Sequence, residues 1–139
     1  MRAHYKAVKA RLEASPVLAG NVYNTLAKSA DGSLITTSYV ILYGGAPDVL
    51  NDDRVSAPQS KDSDAEYVYT VRSVGVNADA ALATADVAST QLIGFVPTLA
   101  GRRCQRIRLD DGGSVEMDSS LTPPLFFIDQ DFLLISRRG

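Results

Sequence analysis

The chain predicts an α+β fold, with a mostly antiparallel sheet of about five strands, two helices packed on it and one long inter-strand loop. Three observations carry this. Segments 33–45, 66–76 and much of the last third are dense in β-branched and aromatic residues. Segments 2–14 and 77–93 instead space their apolar residues three and four apart. Proline, glycine and asparagine stand where one period gives way to the other. At 139 residues the chain suits one domain, 1–139, and its 45% hydrophobic and 22% charged residues match ordinary globular usage.

In chain order, Tyr5, Val8 and Leu12 give the first helix an apolar face from about Arg2 to Ala14, and Ser15-Pro16 stops it. Lys6, Lys9 and Arg11 read as its solvated side. Val22-Tyr23 reads as a brief strand, or an irregular approach to one, before the Asp31-Gly32 turn. "SLITTSYVILYGG" follows as a strand whose apolar end implies burial on both faces, closed by Gly44-Gly45 as turn glycines. "EYVYTVRSVGV" alternates, with Tyr67, Tyr69, Val71 and Ser73 on one face and Val68, Thr70, Arg72 and Val74 on the other. It should pair antiparallel with the strand before it.

In the second helix Asn77 is the N-cap and Asp79 suits the dipole. Ala81, Leu82, Ala85, Ala88, Ser89, Leu92 and Ile93 lie along one face, and Gly94 and Pro97 end it. "RCQRIRLD" and "SVEMD" read as strands of a hairpin turned by Asp111-Gly112-Gly113. After Pro123-Pro124, "PLFFIDQDFLLISRR" is apolar except at Asp129-Gln130-Asp131, which is either a turn or a bulge within one bent strand.

Between the two central strands, residues 44–65 ("GGAPDVLNDDRVSAPQSKDSDA") have no periodicity, and so long an insert in a small domain points to a functional loop. Lys and Arg number 14 against 16 Asp and Glu, so no basic excess is available for strong nucleic-acid binding. The lone Cys104 excludes an internal disulfide and fits a reducing cytoplasm. No apolar run approaches a membrane span, and the start lacks the apolar core of a signal peptide.

Little catalytic chemistry is on offer. The sole histidine, His4, reads as a solvated residue in the first turn of a surface helix, and Cys104 as a small core residue within a strand. Asp52-Asp53 and Asp110-Asp111 are sequence neighbours with no spacing that converges them on a metal, and neither glycine pair sits in a phosphate-binding context. No catalytic, cofactor or metal residue is therefore assigned. The strongest local charge feature is Arg102, Arg103, Arg106 and Arg108, with Arg106 and Arg108 on one strand face. It is either a protected sheet edge or a contact for an acidic protein surface or passing nucleic acid.

Taken in order, "SPVLAGNVYNT", "SYVILY", the long loop, "YVYTVRSVGV", the Ala-rich helix closing near "LIGF", and "GRRCQRIRLD" resemble the tail terminator (tail-completion) proteins of long non-contractile-tailed bacteriophages. The resemblance implies a non-enzymatic structural protein of the virion, assembled in the host cytoplasm and placed at the tail neck. Its copies form a ring, typically a hexamer, that caps the tail tube, ends its polymerisation and joins it to the head connector. Its partners are then other copies of itself, the tail tube protein and the head-tail connector proteins, and DNA passes through the lumen without tight binding.

In that setting Val49, Leu50 and Val55 are expected as apolar anchors of the loop, with Asp48, Asp52, Asp53 and Arg54 supplying charge. Arg102, Arg103, Arg106 and Arg108 would face the acidic loop of the next subunit. Two other readings stay open: a different neck protein, adaptor or stopper, the stopper family being more purely β; and an enzyme or small-ligand-binding α+β domain.

Overall fold

The computed structural model describes residues 2–24, 38–49, 64–120 and 124–139. It contains helices α1 (Arg2–Glu13) and α2 (Ala78–Leu92) and strands β1 (Val22–Tyr23), β2 (Tyr39–Val49), β3 (Ala65–Gly75), β4 (Arg102–Cys104), β5 (Arg108–Asp111), β6 (Val115–Asp118) and β7 (Leu125–Arg138). The α+β class holds, with seven described strands in place of about five. The sheet order is β1-β2-β3-β7, and β4, β5 and β6 all pair with the far side of β7. All pairings are antiparallel except β1 with β2.

The strand alternation read from the sequence is the alternation of the sheet. Tyr67, Tyr69, Val71 and Ser73 of β3 are buried, as are Val40 and Leu42 of β2 and Phe132 and Leu134 of β7. These side chains form the main core, closed by Val8 and Leu12 of α1 and Ala88 and Leu92 of α2. Both helices thus serve one face. The Tyr39-to-Leu42 stretch is buried on both sides, because Tyr39 and Ile41 join Val74 and Leu125 in a smaller cluster on the other face.

Asn77 caps α2 through Oδ1, which accepts the Ala80 N–H at 2.8 Å. The buried stripe of α2 is Ala81, Thr84, Ala85, Ala88 and Leu92. Leu82 and Ile93, expected in it, are 46% and 50% exposed, since each lies one residue, or about 100° of helix, off the stripe. Arg11 is no free surface cation. Its Nε donates to the Gln91 carbonyl, Gln91 Nε2 donates back to the Arg11 carbonyl (both 2.8 Å), and the guanidinium lies over the Phe95 ring, so it ties α1 to the end of α2.

Two turn assignments are corrected. Gly44 and Gly45, with φ of 92° and 83°, kink β2 rather than end it, and the register shifts between Gly44 and Pro47. A Cβ on Gly45 would stand 2.5 Å from Cε1 of Tyr69, so the strand crosses that ring where no side chain fits. Pairing then continues to Val49 opposite Ala65. The insert between the central strands is therefore shorter than 44–65, and residues 50–63 lie outside the described ones.

The second correction concerns Asp111-Gly112-Gly113, which turns no hairpin. β5 and β6 do not pair with each other; both lie along β7, Asp111 opposite Asp131 and Val115 opposite Ile128. The reason is length. β7 has 14 residues and pairs without a shift to β3, so its other edge also needs partners over that span, and β4, β5 and β6 supply them in turn. The glycines form a bulge: Gly113 has φ of 63°, and a Cβ there would run into the Asp129 carbonyl oxygen. Asp129-Gln130-Asp131 is accordingly straight strand, not a turn.

Candidate functional site

Three places gather polar chemistry. The first is buried. Ser136 of β7, 0% exposed, accepts from Arg102 Nε at 2.8 Å, has His4 Nε2 at 2.8 Å and lies 3.7 Å from Cys104 Sγ. Arg102 takes one of the two acceptor sites of the serine oxygen, and the direction of the Ser136–His4 bond follows the imidazole tautomer. His4 also stacks on Tyr67, with ring centroids 4.2 Å apart. Burial foremost, then the positive charges of the N-terminus and Arg102, push its pKa down to about 4. His4 is thus a core residue and not the solvated one expected; it stands four residues before Val8 and eight before Leu12, a spacing that puts it on their face. The serine–histidine contact is sealed, with no carboxylate behind the imidazole among the described residues, so it joins α1 to the sheet and there lacks the geometry of a nucleophilic triad.

The second place is the sheet face without a helix among the described residues. Across its centre Arg72 makes a bidentate pair with Asp129 (2.8 and 3.0 Å), and Thr70 Oγ1 donates to Asp131 at 2.7 Å. The guanidinium lies 4.2 Å from the centroid of the Phe127 ring. The hydrogen bond to Asp129 raises the pKa of Arg72, and burial raises that of Tyr43 beside it. The polar interruption in β7 is therefore a cross-strand ladder.

The third place is the sheet's two lateral edges. On the β2 side, α1 and the Gly44–Gly45 kink bound a cleft of about 510 Å³, lined by Arg2, Tyr5, Lys6 and Lys9, with no carboxylate among its described lining residues. Lys9 pairs with Glu13 at 3.7 Å, whereas Arg2 and Lys6 have no ion pair among the described residues. The opposite edge is divided by charge: Arg103, Arg106 and Arg108 are exposed along β4 and the start of β5, and Asp110, Asp111 and Glu116 are exposed along the rest of β5 and β6.

The arginine cluster read from the sequence is thereby split. Arg102 turns inward to Ser136, Arg103 is exposed, Arg106 lies in the break between β4 and β5, and Arg108 pairs opposite Leu133. Arg106 and Arg108 do not share a strand, because Ile107 leaves the ladder to exchange backbone bonds with Gly94 and Phe95. Asp48 and Val49 are strand residues opposite Glu66 and Ala65. Leu50, Asp52, Asp53, Arg54 and Val55 lie outside the described residues. The cleft on α1 escaped the sequence reading, although Arg2, Lys6 and Lys9 recur at spacings of four and three, the mark of a single helical side.

No group of three or more His, Cys, Asp and Glu side chains among the described residues could hold a metal, and no described helix is long and apolar enough to cross a membrane. No protein-family model and no curated protein matches the chain. Among solved structures, it shares its fold with a chain of the virion of a native gene transfer agent (GTA) particle. The two superpose with a TM-score of 0.69 over 97% of this chain and 94% of the other, at 19% sequence identity.

Proposed function

We propose that the protein is a structural component of a phage-like virion, and within it the tail terminator: a ring that caps the tail tube, stops its polymerisation and joins it to the head connector. The observation that carries the reading is the fold shared over nearly the whole of both chains with a component of a gene transfer agent virion. At 19% identity that likeness speaks to fold, so the role is argued by analogy. Element order supports the finer assignment: an N-terminal helix, two long central strands joined by a polar segment, and an Ala-rich helix packed on the same sheet face.

A non-enzymatic role is part of the proposal. It is supported by the sealing of the His4–Ser136 contact and by the absence of a carboxylate from the described lining of the α1 cleft. Work of this kind is done by surfaces. An open sheet with two unlike edges suits head-to-tail association, which closes into a ring when the rotation between copies allows.

The test is to add the purified chain to polymerising tail-tube protein of its own particle and follow the products by negative-stain microscopy. Capped tubes of arrested length are expected, with a ring at one end. Tubes that lengthen unchanged would overturn the terminator assignment. Binding to the connector instead of the tube end would move the protein to an adaptor or stopper role.

A further inference from the structure

We infer that the cleft on α1 of one copy receives the acidic half of the outer sheet edge of the next copy, and that this is the contact that closes the ring. The inference rests on the proposed ring and names its interface. Three observations carry it.

The cleft is a built concavity whose charged lining, among the described residues, is cationic: Arg2, Lys6 and Lys9 on one side, the Gly44–Gly45 backbone on the other. Only Lys9 has an acidic partner among the described residues. Across the sheet, Asp110, Asp111 and Glu116 stand exposed on the edge formed by β5 and β6, and none of them has an ion pair among the described residues.

The two patches also lie on opposite edges at one height. Tyr43 pairs with Thr70, Thr70 with Asp131 and Asp131 with Asp111, so a single cross-sheet row runs from the strand beside the cleft to the acidic edge. Gly44, which lines the cleft, lies in the next row with Tyr69, Phe132 and Leu109. Copies related by rotation about an axis along the strands bring edge and cleft together at that level. A contact between unlike patches on opposite edges is what a head-to-tail ring requires. Of the acidic run, Asp110 and Asp111 are the residues at that level, with Arg108 opposite Leu133 just beyond them and Glu116 four rows away opposite Phe127.

This pairing replaces the one expected from the sequence, in which Arg102 to Arg108 would meet an acidic loop. Arg102 is committed to Ser136. Arg103 stands several rows away opposite Arg137, and Arg108, opposite Leu133, is a single charge beside Asp110 and Asp111.

The experiment uses two variants of the full chain, R2E/K6E in the cleft and D110K/D111K on the edge, together with the fourfold variant, all measured by light scattering and sedimentation. The wild type should assemble at roughly 50 mM salt and dissociate as salt is raised, since exposed charges are screened. Each twofold variant should fall to the 14.9 kDa monomer. Mixing the two twofold variants in equal amounts should restore assembly, because each then meets only complementary neighbours, and the fourfold variant should assemble alone. Thermal unfolding of each variant checks that the monomer is intact. Rings that persist in both twofold variants would overturn this contact and leave the ring reading standing. Loss that neither mixing nor the fourfold change restores would also overturn it. A wild type that stays monomeric, free and in the presence of tail tubes, would sink the ring and this contact together.

Discussion

The two faces of the sheet use the same strands for opposite purposes. On the helix-covered face, β2, β3 and β7 present Leu42, Tyr69 and Phe132, each 0% exposed, and His4, Ser136 and Arg102 bond to one another there, while His4 Nδ1, the Tyr69 hydroxyl and Ser73 Oγ are buried without a partner among the described residues. On the other face the same strands present Tyr43, Thr70, Arg72, Asp129 and Asp131, with Val68 41% exposed. The first face holds the fold together. The second is ordered by partners in neighbouring strands while staying in reach of water, so one register supports a sealed side and a solvated side.

The largest expected effect is on the sealed face. Replacing Phe132 by Ala empties a site fully enclosed in the main core and should cost about 3–5 kcal/mol, a large part of a small domain's stability. Val68→Ala, on the open face of the adjacent strand, should stay within about 0.5 kcal/mol. Urea unfolding of the two variants measures the difference, and equal losses would mean that the open face is as enclosed as the other.

Acid should find the same asymmetry. His4 has a folded pKa of about 4 against 6.5 in the unfolded chain, so the unfolded state takes up the proton first. The neutral imidazole's contribution is complete above about pH 6.5 and is lost as pH falls towards 4, by at most about 3 kcal/mol. His4→Gln should lower stability at neutral pH and flatten the slope between pH 6.5 and 4. An unchanged slope in the variant would mean that His4 is not the source of the acid sensitivity.

Between the faces stands the bulge at Gly113. Ala there should cost about 2–3 kcal/mol, from the left-handed backbone and the collision with the Asp129 carbonyl, and should loosen the Arg72–Asp129 pair as well. This glycine also marks where the sequence stopped being legible. Alternation within β3, the Asn77 cap and the ends of both helices are local properties, and they are readable because the period of side chains along one segment fixes which of them are buried. That β5 and β6 lie end to end along β7, instead of folding on each other, depends on a strand more than ten residues further on, and Asp-Gly-Gly is equally good chemistry for a turn and a bulge. The same holds for the surfaces. Arg102 and Arg103 are neighbours in sequence with opposite fates, because β4 sends one towards Ser136 and the other outward.

A small coupling is expected on the open face. Arg72 and Asp129 are each 36% exposed, and although their geometry is bidentate, water competes for both. A double-mutant cycle with Arg72→Ala and Asp129→Ala should give a coupling of about 0.5–1 kcal/mol that shrinks with added salt. Phe127 adds a cation–π contact to the same guanidinium, so Arg72→Ala alone should cost more than Asp129→Ala. Repeating the cycle on the assembled particle sharpens the comparison between faces. A coupling that rises well above about 1 kcal/mol and loses its salt dependence would mean that assembly dries this face, because a pair removed from water is screened less and its broken half is left uncompensated. A coupling that stays small would leave the face open in the particle, with the contacts between copies confined to the edges of the sheet.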